Sequence, residues 1–338
     1  RITNLSYSYD GFGNLLQRNF SGDVNLIGDE RYETFQYVPN TALWIVDKPI
    51  RYLLTSNNNT LMKETNYSYD GLPQGSAPTK GSVTRKVESI SKGKTAIMLY
   101  GYNSNGNMIN TTDPNNRTTN YTYGSVDTTF TYPDQETNAK SHVTQYRYDL
   151  GLGKITLIND SNGFSVNYTY DALGRISKEI KPFDSATYPT KQYEYETDGT
   201  APERTKILQR EQSGTNNTFD TFQFIDGLGN VIQAKKESNS SQIVIDTVYD
   251  GVGRVSTRSN PYKSTAQDAY TQPSATINFT NFTYDPMDRI IRIRNPDGTS
   301  KTFNYTKWNV TITDENGNRR MNVLDGFGQI AEVHEFNW

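Results

Sequence analysis

Eight aspartates recur in one local setting along this chain, and carboxylates are the first groups in it that could do acid–base chemistry. They are Asp10, Asp70, Asp149, Asp171, Asp226, Asp250, Asp285 and Asp325, and six of them directly follow a tyrosine: Tyr9, Tyr69, Tyr148, Tyr170, Tyr249 and Tyr284. A glycoside-cleaving site needs a single pair of carboxyl groups, one as acid and one as base or nucleophile. A catalytic pair is needed once and this setting returns eight times, so the recurrence favours a structural role in turns. The two histidines, His142 and His334, lie far apart in unlike contexts, and neither sits beside a serine of the nucleophile-elbow type. Both read as exposed strand or loop residues rather than as the base of a nucleophile–base pair. Asp160-Ser161-Asn162-Gly163 and Asp314-Glu315-Asn316-Gly317-Asn318 invite a calcium reading. A calcium loop of the helix–loop–helix kind needs alternating oxygen ligands closed by a glutamate at its twelfth position, which neither segment supplies. Trp44, Trp308 and Trp338 are candidates for stacking on sugars. No catalytic residue, metal or cofactor is expected.

The elements that carry the aspartates form a repeat. One phrase returns: an aromatic, one residue, a second aromatic, Asp, two or three residues, Gly, then a polar or basic residue before an apolar pair. Tyr7-Ser8-Tyr9-Asp10-Gly11-Phe12-Gly13-Asn14 and Tyr168-Thr169-Tyr170-Asp171-Ala172-Leu173-Gly174-Arg175 show it in full. Phe222 to Asn230 carries it with Asp226 and Gly229, and Tyr249-Asp250-Gly251-Val252-Gly253-Arg254 repeats it. Degraded copies stand at Tyr69-Asp70, Tyr102 with Gly106, Tyr148-Asp149 with Gly153, Tyr284-Asp285 with Arg289, and Asp325 with Gly328. Three stretches, starting at Tyr102, Tyr148 and Tyr284, complete a unit of about 21 residues, a period typical of repeat architectures; elsewhere longer insertions intervene.

Each unit reads as a β-hairpin. After a strand, Asp-x-x-Gly is a turn: the Asp oxygen accepts from backbone N–H groups ahead, and Gly is free to take φ > 0. The next strand alternates, as in Arg175-Ile176-Ser177-Lys178-Glu179-Ile180. An Asx-Gly or Pro-Asp-Gly turn then reverses the chain. The return strand ends in Tyr-x-Tyr, whose period of two puts both rings on one face. The pairs Tyr121/Tyr123, Tyr168/Tyr170, Tyr193/Tyr195 and Phe303/Tyr305 predict a continuous aromatic stripe of cross-strand pairs. No window has the i, i+3, i+4, i+7 spacing of a useful helix. The expected fold is all-β, an antiparallel array of hairpins over residues 1–338 read as a single repeat array.

Composition agrees with a thin sheet. Hydrophobic residues are only 33% of the 338, yet aromatics reach 12%, with 24 tyrosines, and the net charge is −3. Disordered chains are poor in aromatics and rich in net charge, so the mean hydropathy of −0.77 signals half-buried tyrosines rather than disorder. No cysteine excludes a disulfide framework or a thiolate site. A pI near 5.6 lacks the basic footprint of a nucleic-acid binder. No apolar run approaches the ~20 residues of a helical membrane span. Fifteen Asn-x-Ser/Thr sequons begin with Asn4 and Asn19; several, such as Asn66, Asn167 and Asn304, lie inside the repeat phrase itself, which accounts for much of their number. The chain opens Arg1-Ile2-Thr3 and ends Glu335-Phe336-Asn337-Trp338, and both ends read as cut from something longer.

These phrases resemble the RHS/YD-repeat family, whose signature is Tyr-Asp-x-x-Gly-Arg followed by a Pro-Asp-Gly turn and Tyr-x-Tyr. Tyr170-Asp171-Ala172-Leu173-Gly174-Arg175 and Tyr249-Asp250-Gly251-Val252-Gly253-Arg254 match it best, and about nine copies cover nearly the whole chain. The resemblance implies a long, curved, spiralling antiparallel sheet, a partial barrel or shell. Family members include bacterial polymorphic toxins, insecticidal-toxin shell components, wall-associated proteins and animal teneurins. The implied role is a secreted or cell-surface, non-enzymatic scaffold enclosing or displaying a polypeptide cargo. Implied partners are the rest of the same polypeptide, including missing repeats and an encapsulated C-terminal domain. The competing reading is an extracellular adhesin whose repeats contact cell-surface glycans or proteins. The family's closing core segment, with Asp-Pro-x-Gly-Leu and cleavage aspartates, has no match here; Asp285-Pro286-Met287-Asp288 is a repeat copy with Asp where Gly belongs. Neither self-cleavage nor a toxin domain is therefore carried over, and the absence of cysteine argues against the animal branch.

Overall fold

A computed structural model describes residues 3–24, 27–91, 93–265, 267–326 and 328–336. Arg1, Ile2, Asn337 and Trp338, named above, lie outside the described residues. Twenty-seven strands make an antiparallel sheet, with no helix among the described residues. The chain divides into two compact units: residues 1–145 with 323–332, and residues 146–322 with 333–338.

Within each unit, strands that follow one another in sequence pair side by side. In the first, Leu5–Tyr9 pairs with Leu15–Phe20, which pairs with Arg31–Tyr37, which pairs with Pro49–Ser56. In the second, Lys154–Asn159, Ser165–Tyr170, Ile176–Ile180, Lys191–Glu196 and Glu203–Arg210 follow the same order. Short connections leave antiparallel pairing as the only ladder such a chain can make.

One turn geometry recurs at twelve Asp and Asn residues among those described. At Asp10, Asn103, Asp113, Asn138, Asp160, Asp171, Asp226, Asp250, Asp285, Asn295, Asp314 and Asp325, the residue's N–H donates to the carbonyl four residues on. Its own carbonyl accepts from the N–H three residues on. That is a type I turn closed by a left-handed residue, the usual three-residue hairpin loop. The left-handed position is Gly13, Gly106, Gly163, Gly174, Gly229, Gly253, Gly298, Gly317 or Gly328 in nine of the turns. In the other three it is Asn116, Ser141 and Asp288, with φ of 59°, 62° and 62°. Asp288 thus stands in the left-handed position where the repeat phrase has Gly, and the turn still forms.

The Asx side chain supports the turn from within. Asp171 Oδ1 accepts from the N–H of Leu173 at 3.0 Å and of Arg175 at 2.8 Å. Asp10, Asp226, Asp250, Asp285 and Asp314 each accept from the equivalent pair of N–H groups. Asn103 does the same with its amide oxygen, so the turn needs an acceptor and not a charge. Two copies deviate. Asp149 closes a loop one residue longer, its carbonyl accepting from Gly153 N–H at 2.8 Å. Asp70 lies before an insertion, and its carboxylate gathers the N–H groups of Thr79, Lys80, Gly81 and Ser82 at 2.6–3.1 Å. There the aspartate folds the returning insertion back onto the strand end.

The Asp226 turn provides a matched pair of glycines. Gly229 has φ of 87° and Gly227 has no such requirement, while a methyl group at either would meet nothing within 4 Å. Gly229→Ala is therefore expected to cost roughly 1–2 kcal/mol from backbone strain alone, and Gly227→Ala to stay within about 0.5 kcal/mol of the parent. Urea midpoints of the two variants, measured side by side, check this.

Candidate functional site

The repeated site is a junction between hairpins, built around the second tyrosine of the phrase. At that tyrosine the ladder slips by one residue. Tyr9 opposes Leu15 while Ser8 opposes Gln17, so Leu16 is skipped. The same slip occurs at Tyr37, Tyr69, Tyr102, Tyr170, Ile225, Tyr249 and Tyr284. Such a bulge leaves the ladder locally interrupted. A tyrosine of a later strand supplies the missing donor. Tyr37 Oη donates to the carbonyl of Leu15 at 3.1 Å, Tyr69 to Pro49 at 2.8 Å, Tyr102 to Val83 at 3.0 Å and Tyr123 to Met108 at 2.9 Å. In the second unit Tyr170 reaches Ile155 at 2.6 Å and Tyr195 reaches Ile176 at 2.9 Å. Tyr249 reaches Val231 at 3.2 Å, Tyr284 reaches Val255 at 2.8 Å and Tyr305 reaches Ile290 at 3.0 Å. The acceptor is the residue facing the previous motif position: Tyr37 bonds the partner of Tyr9, Tyr69 the partner of Tyr37, Tyr102 the partner of Tyr69. Each repeat thereby holds the bulge of the one before it.

The arginine of the phrase couples the same two repeats. Arg175 Nε donates to Asp171 Oδ2 of its own turn at 2.7 Å, and its guanidinium lies 4.2 Å from the ring centre of Tyr195. Arg254 bonds Asp250 and covers Tyr284 at 4.7 Å, and Arg289 bonds Asp285 and covers Tyr305 at 4.2 Å. Each guanidinium–ring contact is worth about 0.5–1 kcal/mol at such partly exposed sites. Where the phrase has Asn instead, as at Asn14, Asn230 and Asn318, the amide still donates to the turn aspartate, at 2.8–3.1 Å. These arrangements correct the expected stripe of ring-on-ring pairs. Motif tyrosines sit on every second strand, about 10 Å apart, which is too far for rings to touch. At Tyr170, Tyr195, Tyr284 and Tyr305 a cation fills the interval instead. Ring pairs occur within one strand, at Tyr7/Tyr9 and Tyr146/Tyr148 with centres 6.4 Å apart, and one directly opposed cross-strand pair, Phe35/Tyr52, has centres 5.1 Å apart.

Seven of the turn carboxyls are held in their charged form. For Asp171, burial would raise the pKa, but the Arg175 side chain and the N–H groups of Arg175 and Leu173 outweigh it and hold the group below its ordinary value. Asp10, Asp70, Asp226, Asp250, Asp285 and Asp314 are lowered as well, each by hydrogen bonds from its own turn or, for Asp70, from residues 79–82. A glycosidase acid needs the opposite shift. His142 is exposed and closes the Asn138 turn, and His334 is exposed on the strand Ile330–Phe336. Asp160 and Asp314, the calcium candidates, each spend Oδ1 on two backbone N–H groups of their own turns. Trp44 is exposed with its ring edge-on to Phe12, and Trp308 is half-buried.

One well-packed feature was missed from sequence. On one face of the second unit, Phe222, Phe224, Gln233, Lys235, Val244 and Asp246 are buried. A strap running through Asp268 to Thr271 covers them. Lys235 Nζ donates to Ala269 O at 2.6 Å and to Thr271 Oγ1 at 3.0 Å, and lies 5.4 Å from the centre of the Phe224 ring. Gln233 donates to Thr271 O and accepts from Thr271 N–H, and Asp246 accepts from Gln233 and from Tyr262 Oη. Burial pushes the Lys235 amine down, against Asp246 and Asp268, which pull it up. The alternation of strand Val231–Ser238 does mark Gln233 and Lys235 as sharing a face. That the face is covered depends on a segment more than thirty residues downstream, which no local pattern announces.

A domain of unknown function, DUF6443, matches residues 197–310, the stretch that contains this strap. No curated protein sequence matches the chain. Among solved structures, the crystal structure of TcdB2-TccC3 superposes with a TM-score of 0.77 at 13% identity, over 99% of this chain and 25% of that one. TcdB2-TccC3 without its hypervariable C-terminal region gives 0.77 at 11% identity over 99% and 27%, and TcdB2-TccC3-Cdc42 gives 0.76 at 12% over the same shares. The chain spans about a quarter of the length of the solved chains it matches. Likeness at this identity is a likeness of fold alone, and the repeat phrase carries the resemblance to RHS/YD-repeat proteins.

Two measurements test the junction. Tyr170→Phe removes only the hydroxyl bond and is expected to cost about 0.5–1.5 kcal/mol, while Tyr170→Ala, which also removes a half-buried ring, costs about 2–4 kcal/mol. Tyr9→Ala is expected to be mild, because that ring is 57% exposed; equal, small urea-midpoint shifts for Tyr9→Ala and Tyr170→Ala would contradict this account. The second measurement is alkaline titration. Burial raises Tyr37, Tyr69, Tyr102, Tyr123, Tyr170 and Tyr195 above the ordinary 10.0, and Tyr69, near Tyr67 and Asp47, is pushed up to about 12. Folding favours the neutral phenols, so their contribution is complete below pH 10 and declines as the pH rises through the folded values. Phenolate absorbance should rise in two phases, the later one coinciding with loss of the β circular-dichroism signal.

Proposed function

We propose that this chain is an RHS/YD-repeat protein that forms a non-enzymatic wall segment of a larger secreted or cell-surface assembly, a sheet that encloses or displays a polypeptide cargo. The superposition of 99% of the chain on TcdB2-TccC3 carries the proposal. The junction chemistry supports it: the repeated aspartates, tyrosines and arginines spend their polar atoms and ring faces on one another. In this reading Tyr9, Asp10, Gly13, Tyr170, Asp171, Gly174, Arg175 and their counterparts are structural residues, and the partners are further repeats and the contained segment of the same polypeptide. The strand Leu5–Tyr9 fits that role, since it pairs on one side with Leu15–Phe20 and exposes every residue.

The test is limited proteolysis of the natural polypeptide that carries this chain. Segments outside the repeats should resist cleavage under native conditions and become sensitive in the same urea range in which the sheet unfolds. Cleavage of those segments in native buffer at the rate of an unfolded peptide would defeat the enclosing role and leave a display or adhesive one.

A further inference from the structure

The strap over the second unit is held by its main chain. Two rows of side chains cross four strands on the covered face: Arg204, Phe224, Gln233 and Asp246 in one, Lys206, Phe222, Lys235 and Val244 in the other. Long polar side chains of this face meet residues 267–271. Gln242 Oε1 accepts from the N–H of Gln267 at 3.2 Å, and Arg204 donates to the carbonyl of Asp268 at 2.8 Å. Lys235 donates to the carbonyl of Ala269 at 2.6 Å. Gln233 takes both main-chain groups of Thr271, accepting from its N–H at 3.1 Å and donating to its carbonyl at 2.7 Å. The receiving side chains are sunk in the sheet, with Gln233, Lys235 and Gln242 only 0%, 1% and 3% exposed, while Gln267, Asp268 and Ala269 stay exposed above them.

Main-chain groups are the same in every polypeptide, so these bonds select an extended backbone and not a sequence. The strap adds few side-chain contacts of its own. Tyr270 sets its ring edge-on to Phe224 with centres 5.9 Å apart, Thr271 Oγ1 accepts from Lys235 at 3.0 Å, and Asp268 pairs with Lys206 at 3.0 Å. The space beside the strap is open: a groove of about 690 Å³ is lined by Tyr270 and Asp246 together with Val248 and Tyr249. We propose that this face is a binding site for an extended polypeptide segment, read through its main chain, which the strap fills in cis. The segment that displaces the strap is a stretch of the contained polypeptide, an assignment that rests on the wall reading above. Both competitors are tethered, and a short tether sets an effective concentration on the order of millimolar, so neither excludes the other. Whichever segment is bound, Gln233 and Lys235 keep main-chain partners and are never buried unpaired.

Fluorescence anisotropy of labelled synthetic peptides on the 338-residue chain tests this. A strap-releasing variant, Tyr270→Ser with Thr271→Pro, loses the ring contact and the N–H that Gln233 accepts, and leaves every residue of the face in place. It should bind a peptide copying residues 267–273 at least about tenfold more tightly than the parent, whose site is filled. A peptide that keeps the tyrosine and has alanine elsewhere should bind within about threefold of the copy, and the copy N-methylated at its threonine nitrogen about tenfold more weakly. Gln233→Ala in the released variant should abolish the gain. Circular dichroism confirms that each variant folds. Should the released variant not fold, hydrogen exchange of the parent decides: the Thr271 amide should exchange about a hundredfold faster than the amides of Ser241–Tyr249. Equal binding to parent and released variant, or none to the released variant, overturns the proposal. So does a requirement for the strap's own side chains, binding indifferent to the N-methyl group or to Gln233→Ala, or Thr271 exchange at the rate of the strand. None of these results touches the wall reading, which proteolysis of the natural polypeptide tests on its own.

Discussion

A hydroxyl-to-carbonyl bond from one strand to its neighbour, made beside that neighbour's bulge, is the interaction on which the rest of this sheet depends. A sheet with so few aliphatic residues cannot draw its cohesion from a thick core: Pro78 and Pro189 aside, Tyr69, Phe222, Phe224 and Val244 are the large buried apolar side chains among the described residues. The bulge at each motif tyrosine interrupts the ladder, and the hydroxyl of a later tyrosine bonds the carbonyl beside the interruption. Tyrosine is suited to this because its ring buries apolar area against the sheet while its oxygen still finds a partner on the adjacent strand. Phenylalanine would supply the ring and leave the carbonyl short of a donor. The 24 tyrosines against 14 phenylalanines follow from that asymmetry.

The recurring phrase can then be taken apart residue by residue. The Asp side chain bonds N–H groups within its turn, the Gly supplies the left-handed backbone, the Tyr bonds the preceding repeat and the Arg reaches both its own Asp and the following Tyr. Three of the four roles are local enough to read from sequence: an Asx turn, a glycine at positive φ and a strand of period two. The bulge was not legible, since alternation on the tyrosine strand continues unbroken and the extra residue sits on its partner. The Arg–Tyr contact was hidden for a related reason. Arg175 and Tyr195 are twenty residues apart, and only the pairing order brings one over the other.

The insertions follow a different logic. At Asp70 the phrase keeps its Tyr and Asp but lengthens its turn, and the carboxylate that elsewhere bonds two N–H groups bonds four. In the second unit the strap through Asp268 to Thr271 replaces solvent over one face, and that face changes accordingly: Gln233 and Lys235 become buried and direct their polar atoms to the strap's main chain. Sequence alone makes Lys235 an exposed charge, because a lysine in an alternating strand ordinarily points to water. What overrides that expectation is a cover built from main-chain carbonyls, which accept from an ammonium group at a net cost far below that of burying it unpaired.

Coupling through neighbours only has a consequence for how such a sheet tolerates change. Each junction involves one repeat and the next, so stability is close to a sum of hairpin terms and nearest-neighbour terms. The neighbour term is not uniform. It includes a guanidinium on the next ring at Arg175, Arg254 and Arg289, and lacks it where Asn14 occupies that place. Asn14 instead donates its amide to the carbonyl of Val46, in the insertion between Arg31–Tyr37 and Pro49–Ser56, so the same position binds a rim loop rather than a ring. Asn107 does the same with the carbonyl of Phe130, whereas Asn230 and Asn318 direct their amides to the aspartates of their own turns, so the position is filled according to what lies beside each turn.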